Sequence, residues 1–248
     1  MSFDGGVGRT PMSRVAIVTA LAVEKASLTR ALRRNGGAWH VLQSGPGPER
    51  AAQVARAAIA GGAAALASWG LVGALDAALG AGDVVLPRRV LRAGAGAVLA
   101  DPVWHARLAA VDGFRTTFGD LLTVDVALES PEAKGAAARA TGCVAVDMEA
   151  AAIGAVAAAA NVPFVAVRVV VDTLADRLPA AEDWIDERGN RRFAAALRAV
   201  ARPTEWRTLL TLGQRYRVAS AVLDRLAQAA AASGVFGLLD TPSSGVGG

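Results

Sequence analysis

Apolar positions along this chain alternate between a dense short-period pattern and a helical one, and residues 141–176, TGCVAVDMEAAAIGAVAAAANVPFVAVRVVVDTLAD, show both. The segment to Val146 predicts a short strand, then a turn carrying Asp147, Met148 and Glu149. An alanine-rich helix follows to about Ala160. Asn161 suits the left-handed residue that ends a helix, and Pro163 prevents its continuation. FVAVRVVV is β-branched enough to be a strand buried on both faces, and it stops at Asp172. A carboxylate at the carboxyl end of such a strand sits where open α/β sheets bind ligands. Glu149, just past the preceding strand, is expected at the same rim.

The rest of the chain repeats the alternation. RVAIVTA (14–20) predicts the first strand, and LAVEKASLTRALRR a helix with Glu24 near its start. A glutamate there complements the helix dipole. It would equally stand beyond the end of strand one, at the rim expected for Asp172. WHVLQSGPGPERAAQVARAAIAGG reads as strand, Gly-Pro loop and helix. Glycines before a helix expose N–H groups to an anion. This loop lacks both GxGxxG spacing and a GK[ST] ending, and its prolines remove donors. AAALASWG predicts a third strand, running into GLVGALDAALGAGDVVLP, and DVVLP another. Arg88, Arg89 and Arg92 read as a solvated surface.

The pattern weakens over 93–123, where AVLADPVWHARLAAV predicts a loop and a helix. LLTVDVALES predicts a strand with Asp125 inside it, and ESPEAKGAAARATG a helix. Beyond Asp176 the polar run RLPAAEDWIDERGNRRF is a candidate lid. FAAALRAVARP and TEWRTLLTLGQRYRVASAVLDRLAQAAAA predict two terminal helices. In the second, Leu209, Leu212, Tyr216, Ala219, Leu223 and Leu226 form one apolar stripe. Residues 1–13 and 233–248 are expected to be disordered tails around one domain at 14–232. Strands alternating with helices predict a single three-layer α/β/α domain around a central mixed, mostly parallel twisted sheet.

Composition narrows the chemistry. The 248 residues are 53% hydrophobic and 19% charged, as expected of one well-buried α/β domain. No segment makes a convincing membrane span, and MSFDGGVGRTPMSR has no apolar core for a secretory signal. Cys143 is the sole cysteine, which excludes an internal disulfide and suits a reducing, cytoplasmic compartment. The net charge of +4 rests on scattered arginines, Lys25 and Lys134 being the only lysines, and aromatics make up 5%. Nucleic acid is therefore not an expected partner. His40 and His105 lie near no cysteine or acid cluster, so neither a metal site nor a cofactor is expected. A G-x-S-x-G elbow is absent. What remains is carboxylates at strand ends: Glu24, Glu149 and Asp172. Two acids are the minimum equipment for cleaving a glycosidic bond. The alternative is that all three are helix caps or surface acids. Desolvation by a strand as apolar as VRVVV should raise the Asp172 pKa, which a general acid at neutral pH requires.

VAIVTALAVEK, SGPGPERAA, SWGLVGALDAALGAGDVVLP and VAVDMEAAAIGAVAAAANVPFVAVRVVVD follow in order the landmarks of the nucleoside phosphorylase and nucleosidase superfamily. The chain resembles that superfamily from Val15 to Asp176. It is most similar to the methylthioadenosine/S-adenosylhomocysteine nucleosidases and the hopanoid-associated phosphorylases. RPTEWRTLLTLGQRYRVA resembles the hopanoid-associated branch. The resemblance implies that Glu24 activates water and that Met148 packs against ribose. It implies that Glu149 stays ionised to accept from ribose hydroxyls, and that Asp172 protonates or hydrogen-bonds the departing purine. Gly70 and Leu71 fall in the family's glycine-rich substrate segment, GLVGA here. Val171 replaces a serine before the aspartate, and Ala127 or Leu128 an aromatic that packs on the base.

These changes make the implied cavity more apolar, as a greasy substituent would need. The implied reaction is cleavage of the N-glycosidic bond of an adenine nucleoside, with adenosylhopane releasing adenine. The alternatives are an ordinary methylthioadenosine/S-adenosylhomocysteine nucleosidase or purine nucleoside phosphorylase, and a catalytically silent nucleoside-binding or storage protein. The phosphorylases' phosphate loop after strand one is replaced by TALAVEK, so water is at least as fitting a nucleophile as phosphate. A homodimer is implied, and a lipid-like substrate would imply peripheral membrane contact.

Overall fold

The computed structural model describes residues 15–35, 39–178 and 206–235. In chain order these form β1 (Val15–Thr19), α1 (Ala22–Asn35), β2 (Trp39–Gln43), α2 (Pro48–Ala60), β3 (Ala65–Ala74), β4 (Val84–Val85) and β5 (Arg89–Arg92). There follow β6 (Val98–Leu99), α3 (Pro102–Ala109), β7 (Thr116–Thr117), β8 (Leu121–Thr123) and α4 (Pro131–Thr141). The order closes with β9 (Ala145–Asp147), α5 (Ala150–Ala159), β10 (Phe164–Asp172) and α6 (Trp206–Ala232).

β3 is the hub of the sheet. It pairs in parallel with β1 and β10 and antiparallel with β9. β1 carries β2 in parallel, and β9 leads through parallel β8 and β5 to antiparallel β6. β10 carries antiparallel β4, which pairs in parallel with β7. The sheet is mixed and mostly parallel, as expected. Strands covered on both faces need no polar alternation, which is why VAIVT and FVAVRVVV read as unbroken apolar runs.

On one face Ile17, Trp69, Val167 and Val169 pack against Leu28 and Ala31 of α1 and Leu223, Leu226 and Ala227 of α6. On the other, Val18, Leu66, Ala166 and Val170 meet Ala51, Ala55 and Ala58 of α2 and Ala150, Ile153 and Ala157 of α5. Short alanine side chains let these two helices lie close to the strands. Asn161 takes the left-handed conformation expected of it, with φ 53°. Ser130 caps α4, accepting from the Ala133 N–H at 3.2 Å, and Gly142 ends that helix at φ 69°.

Several expectations change. β8 stops at Thr123, and Asp125 lies beyond it, exposed and paired with Arg92. A polar side chain that finds a cation at the surface does not continue a buried strand. Val235 is 3% exposed in the core against the sheet, so the chain stays packed past the boundary expected at 232. The α6 stripe buries Ala219, Leu223 and Leu226, joined by Val222, Ala227 and Ala230. The Leu209 side chain, the helix read in FAAALRAVARP, and the candidate lid after Leu178 lie outside the described residues. Among the described residues no helix is long and apolar enough to cross a membrane.

Candidate active site

Glu24 stands in the first turn of α1 and is 2% exposed. Its Oε2 accepts from the N–H groups of Ala20 at 2.9 Å and Leu21 at 2.8 Å, which ties down the entry to the helix. Its Oε1 reaches across to the Leu71 N–H of β3 at 2.8 Å. Glu24 thus tethers the helix entry and touches the neighbouring strand at once. A Cβ on Gly70 would lie 2.6 Å from Oε1, so a side chain at that strand position would push the carboxylate aside. Burial raises the Glu24 pKa, with the three backbone N–H groups and the Arg168 charge pulling the other way.

Glu149 occupies the N-cap position of α5 without capping it through its side chain. That duty falls to Asp147, whose Oδ2 accepts from the Ala150 N–H at 3.0 Å. Glu149 instead turns its carboxyl inward, where Oε1 accepts from the Gly47 N–H at 2.8 Å. Gly47 has φ 105°, and it is the N-cap of α2. The Gly-Pro loop thus directs an N–H at an anion, as helix N-termini do, but the anion is the protein's own. Part of Glu149 remains exposed while its carboxyl is buried. Burial, and then the Asp147 charge, push its pKa up to about 8. Desolvation thus outweighs the pull of the Gly47 N–H and Arg168, and works against the ionised Glu149 that the resemblance implies.

Arg168, within the apolar run of β10, was not singled out by the sequence pattern. It is 2% exposed, donates from Nε and Nη2 to Asp147 Oδ2, and donates to Ser68 Oγ at 2.6 Å. Thr123 Oγ1 completes the cluster by donating to Asp147 Oδ1 at 2.6 Å. An arginine amid valines is itself a signal, since an unpaired buried guanidinium is prohibitively costly and a carboxylate partner must exist. Glu24, Glu149, Gly70, Leu71, Ser68 and Arg168 line one cavity of about 10 Å³, no larger than a single water needs.

Asp172, at the end of β10, is 5% exposed. A Cβ on Gly73 would lie 3.0 Å from its Oδ2, and a register shift between Val170 and Asp172 accompanies this approach. Gly70 and Gly73 are three residues apart on β3, so Glu24 and Asp172 meet that strand at points roughly 10 Å apart along it. Asp172 is ion-paired with Lys134 of α4, which is 1% exposed and was also missed. Its one sequence signal is weak: an arginine-biased chain that retains a lysine, as it does at the exposed Lys25 too. Burial raises the Asp172 pKa in the direction expected, with Lys134 and then Arg215 opposing it.

The other expected residues are dispersed. Val171 packs toward the α1 and α6 layer, as does the side chain of Leu71, although that residue also lines the cavity. Leu128 joins Leu75, Leu122, Cys143 and Val146 in a separate apolar cluster. Ala127 and Met148 are half-buried, and neither lines the cavity between Glu24 and Glu149.

The sequence profile of the phosphorylase superfamily matches residues 22–202, and the chain belongs to that superfamily. No curated protein sequence matches it. Among solved structures it is similar to the 5′-methylthioadenosine/S-adenosylhomocysteine nucleosidase of Colwellia psychrerythraea 34H in complex with adenine. That match has a TM-score of 0.67 at 18% identity, over 88% of this chain and 94% of the other. The Neisseria meningitidis nucleosidase of the same name, in complex with methylthio-immucillin-A, gives a TM-score of 0.69 at 18% identity, over 88% and 98%. Futalosine hydrolase of Helicobacter pylori strain 26695 gives 0.62 at 15% identity, over 88% and 94%. At these identities the likeness is one of fold.

Proposed function

We propose that the protein hydrolyses the N-glycosidic bond of an adenine nucleoside, with adenosylhopane as its substrate. The observation that carries this reading is the pair of buried carboxyl groups, Glu24 and Glu149, facing one cavity beside Arg168. Asp172 approaches the same strand at Gly73. Cleavage through an oxocarbenium-like transition state needs an acid for the leaving group and a base for water. Asp172 gives the proton to the purine, and Glu24 takes one from water. Glu149 addresses the ribose hydroxyls. The structural neighbours, nucleosidases in complex with adenine or with methylthio-immucillin-A, support this assignment.

Water is favoured over phosphate for two reasons. The Gly47 N–H is already committed to Glu149, and Glu24 Oε1 already takes the Leu71 N–H, so neither donor is left for a phosphate oxygen. The resemblance of RPTEWRTLLTLGQRYRVA to the hopanoid-associated branch is what favours a nucleoside with a hydrocarbon 5′ substituent. Adenine release should be assayed from methylthioadenosine, adenosine and adenosylhopane, with and without phosphate. Adenosylhopane is expected to turn over fastest and to yield no ribose 1-phosphate. Preference for methylthioadenosine would replace the hopanoid assignment, and a ribose 1-phosphate product would overturn hydrolysis.

A further inference from the structure

The Lys134 ammonium is held by three oxygens. It donates to Asp172 Oδ2, to the Thr173 carbonyl at 2.9 Å and to the Asp176 carbonyl at 3.3 Å. An ammonium has three protons to donate and accepts none, so three acceptors suit the charged form. At 1% exposure that charge needs a counter-ion. Asp176 does not supply it, because its carboxylate pairs with Arg215 of α6 and accepts from the Thr173 N–H at 2.7 Å. Asp172 does. Its charged surroundings are Lys134 from α4, Arg215 from α6 and Asp176 on its own loop, while β3 and β9 bring only Gly73 and Val146.

We infer that Lys134 positions Asp172 for the departing purine, fixing Oδ2 and the segment behind it and leaving Oδ1 to meet the base. This rests on the hydrolysis proposed above. In that reaction the C1′–N9 bond breaks and its electron pair enters the purine. A ring nitrogen takes the proton from protonated Asp172. The water that adds at C1′ gives its proton to Glu24. Proton transfer leaves Asp172 as a desolvated carboxylate, and Lys134 balances that new charge. The lysine's help therefore grows as the reaction proceeds, which is what accelerates a chemical step.

The test compares Lys134→Gln and Lys134→Arg with wild type in kcat against pH. A general acid loses activity as pH rises through its pKa, and removing a neighbouring cation raises that pKa. Lys134→Gln should lower kcat by about 10²–10³-fold, the usual loss for one charge-stabilising donor. It should also move the alkaline limb up by about a pH unit or more. Lys134→Arg should keep the limb in place. A Gln variant that loses only stability or KM, with its limb unmoved, overturns the inference and makes Lys134 a strut.

If wild type releases adenine from no nucleoside, the proposed reaction fails, and the lysine is then judged separately. The carbon-13 carboxyl titration of Asp172, assigned by its loss in Asp172→Asn, should move up in Lys134→Gln. An unchanged titration overturns the inference. Should the Gln variant not fold, Lys134→Arg carries the test: its Asp172 signal must titrate with that of wild type. A titration moved up in the Arg variant, which keeps the cation, overturns the inference as well.

Discussion

The Glu149 carboxylate accepts from the Gly47 N–H at 2.8 Å, joining two loops 102 residues apart in sequence. One loop opens α2 and the other opens α5, so a single hydrogen bond ties the two helices of one layer at the cavity. The positive end of α2 favours an ionised Glu149, whereas burial and the Asp147 charge favour a neutral one. The balance falls on the neutral side, and a ligand hydroxyl that donates to the carboxylate would tip it back.

This balance predicts a pH dependence of stability. The Glu149 pKa rises from an ordinary 4.5 to about 8 on folding. A carboxyl with a raised folded pKa stabilises fully below its unfolded pKa, and that contribution is lost as pH climbs through the folded value. Wild type should therefore lose melting temperature between about pH 4.5 and 8. Glu149→Gln should flatten that decline. Parallel melting curves for the two proteins across this window would show that Glu149 is not held neutral.

Glu149→Gln should also alter sugar selectivity. Charge-assisted hydrogen bonds to ribose hydroxyls are worth roughly 1.5–3 kcal/mol each and help only substrates that carry the hydroxyls. The variant should lose much of the preference for a ribonucleoside over its 2′-deoxy counterpart, read as the ratio of kcat/KM values. Because Asp147 rather than Glu149 caps α5, an unchanged ratio could not be ascribed to a lost cap. It would remove Glu149 from ribose binding.

Asp172→Asn should reduce kcat by about 10²–10⁴-fold, the usual contribution of a general acid. It should not be structurally silent, because Lys134 would keep its buried charge without a counter-ion. Breaking a buried pair from one side costs about 3–5 kcal/mol. Adding Lys134→Met to Asp172→Asn should restore much of the stability and none of the activity. Melting temperatures of the two single variants and the double variant provide the check.

The strands, the helix ends and the acids were legible in the sequence because each leaves a local trace. Unbroken β-branched runs mark strands covered on both faces, and Asn161 and Pro163 mark the end of α5. Lys134 was not legible, and Arg168 only as a buried charge in want of a partner, because what matters about them is a partner 38 or 21 residues away. Periodicity registers neither distance. Asp125 misled for the reverse reason: LLTVDV keeps the alternation of a strand, and the cation that draws Asp125 outward, Arg92, lies 33 residues back. Gly70 and Gly73 read only as places of permissive backbone. Their use became visible once Glu24 and Asp172 were seen to occupy the space their side chains would fill.

Gly70→Ala should therefore act as an active-site mutation although it adds one methyl group to a strand. Its Cβ would sit 2.6 Å from Glu24 Oε1, a contact that forces the carboxylate away from the Leu71 N–H. A displacement near 1 Å can cost about 10²-fold in rate. Turnover should fall by that order with little change in KM. Retention of wild-type kcat would mean that the position of Glu24 is not critical.

Glu24 itself is the sharpest test of the nucleophile. Its carboxylate accepts three backbone N–H groups, from Ala20, Leu21 and Leu71. A glutamine offers one acceptor oxygen and an amide that would face a donor, so Glu24→Gln must lose some stability as well as any chemistry. The pH profile separates the two. As the base for water, Glu24 has to be ionised, and burial raises its pKa. Base-dependent activity disappears as pH falls through the pKa. The acidic limb of kcat, which reports the complex in which ribose has already drawn Glu149 to its ionised form, should therefore lie above that of an ordinary glutamate. Glu24→Gln should abolish this limb and lower kcat by about 10²–10⁴-fold, with product identity unaffected by added phosphate. If the limb survives the substitution and only the melting temperature falls, Glu24 is a helix-entry residue and another group activates the nucleophile.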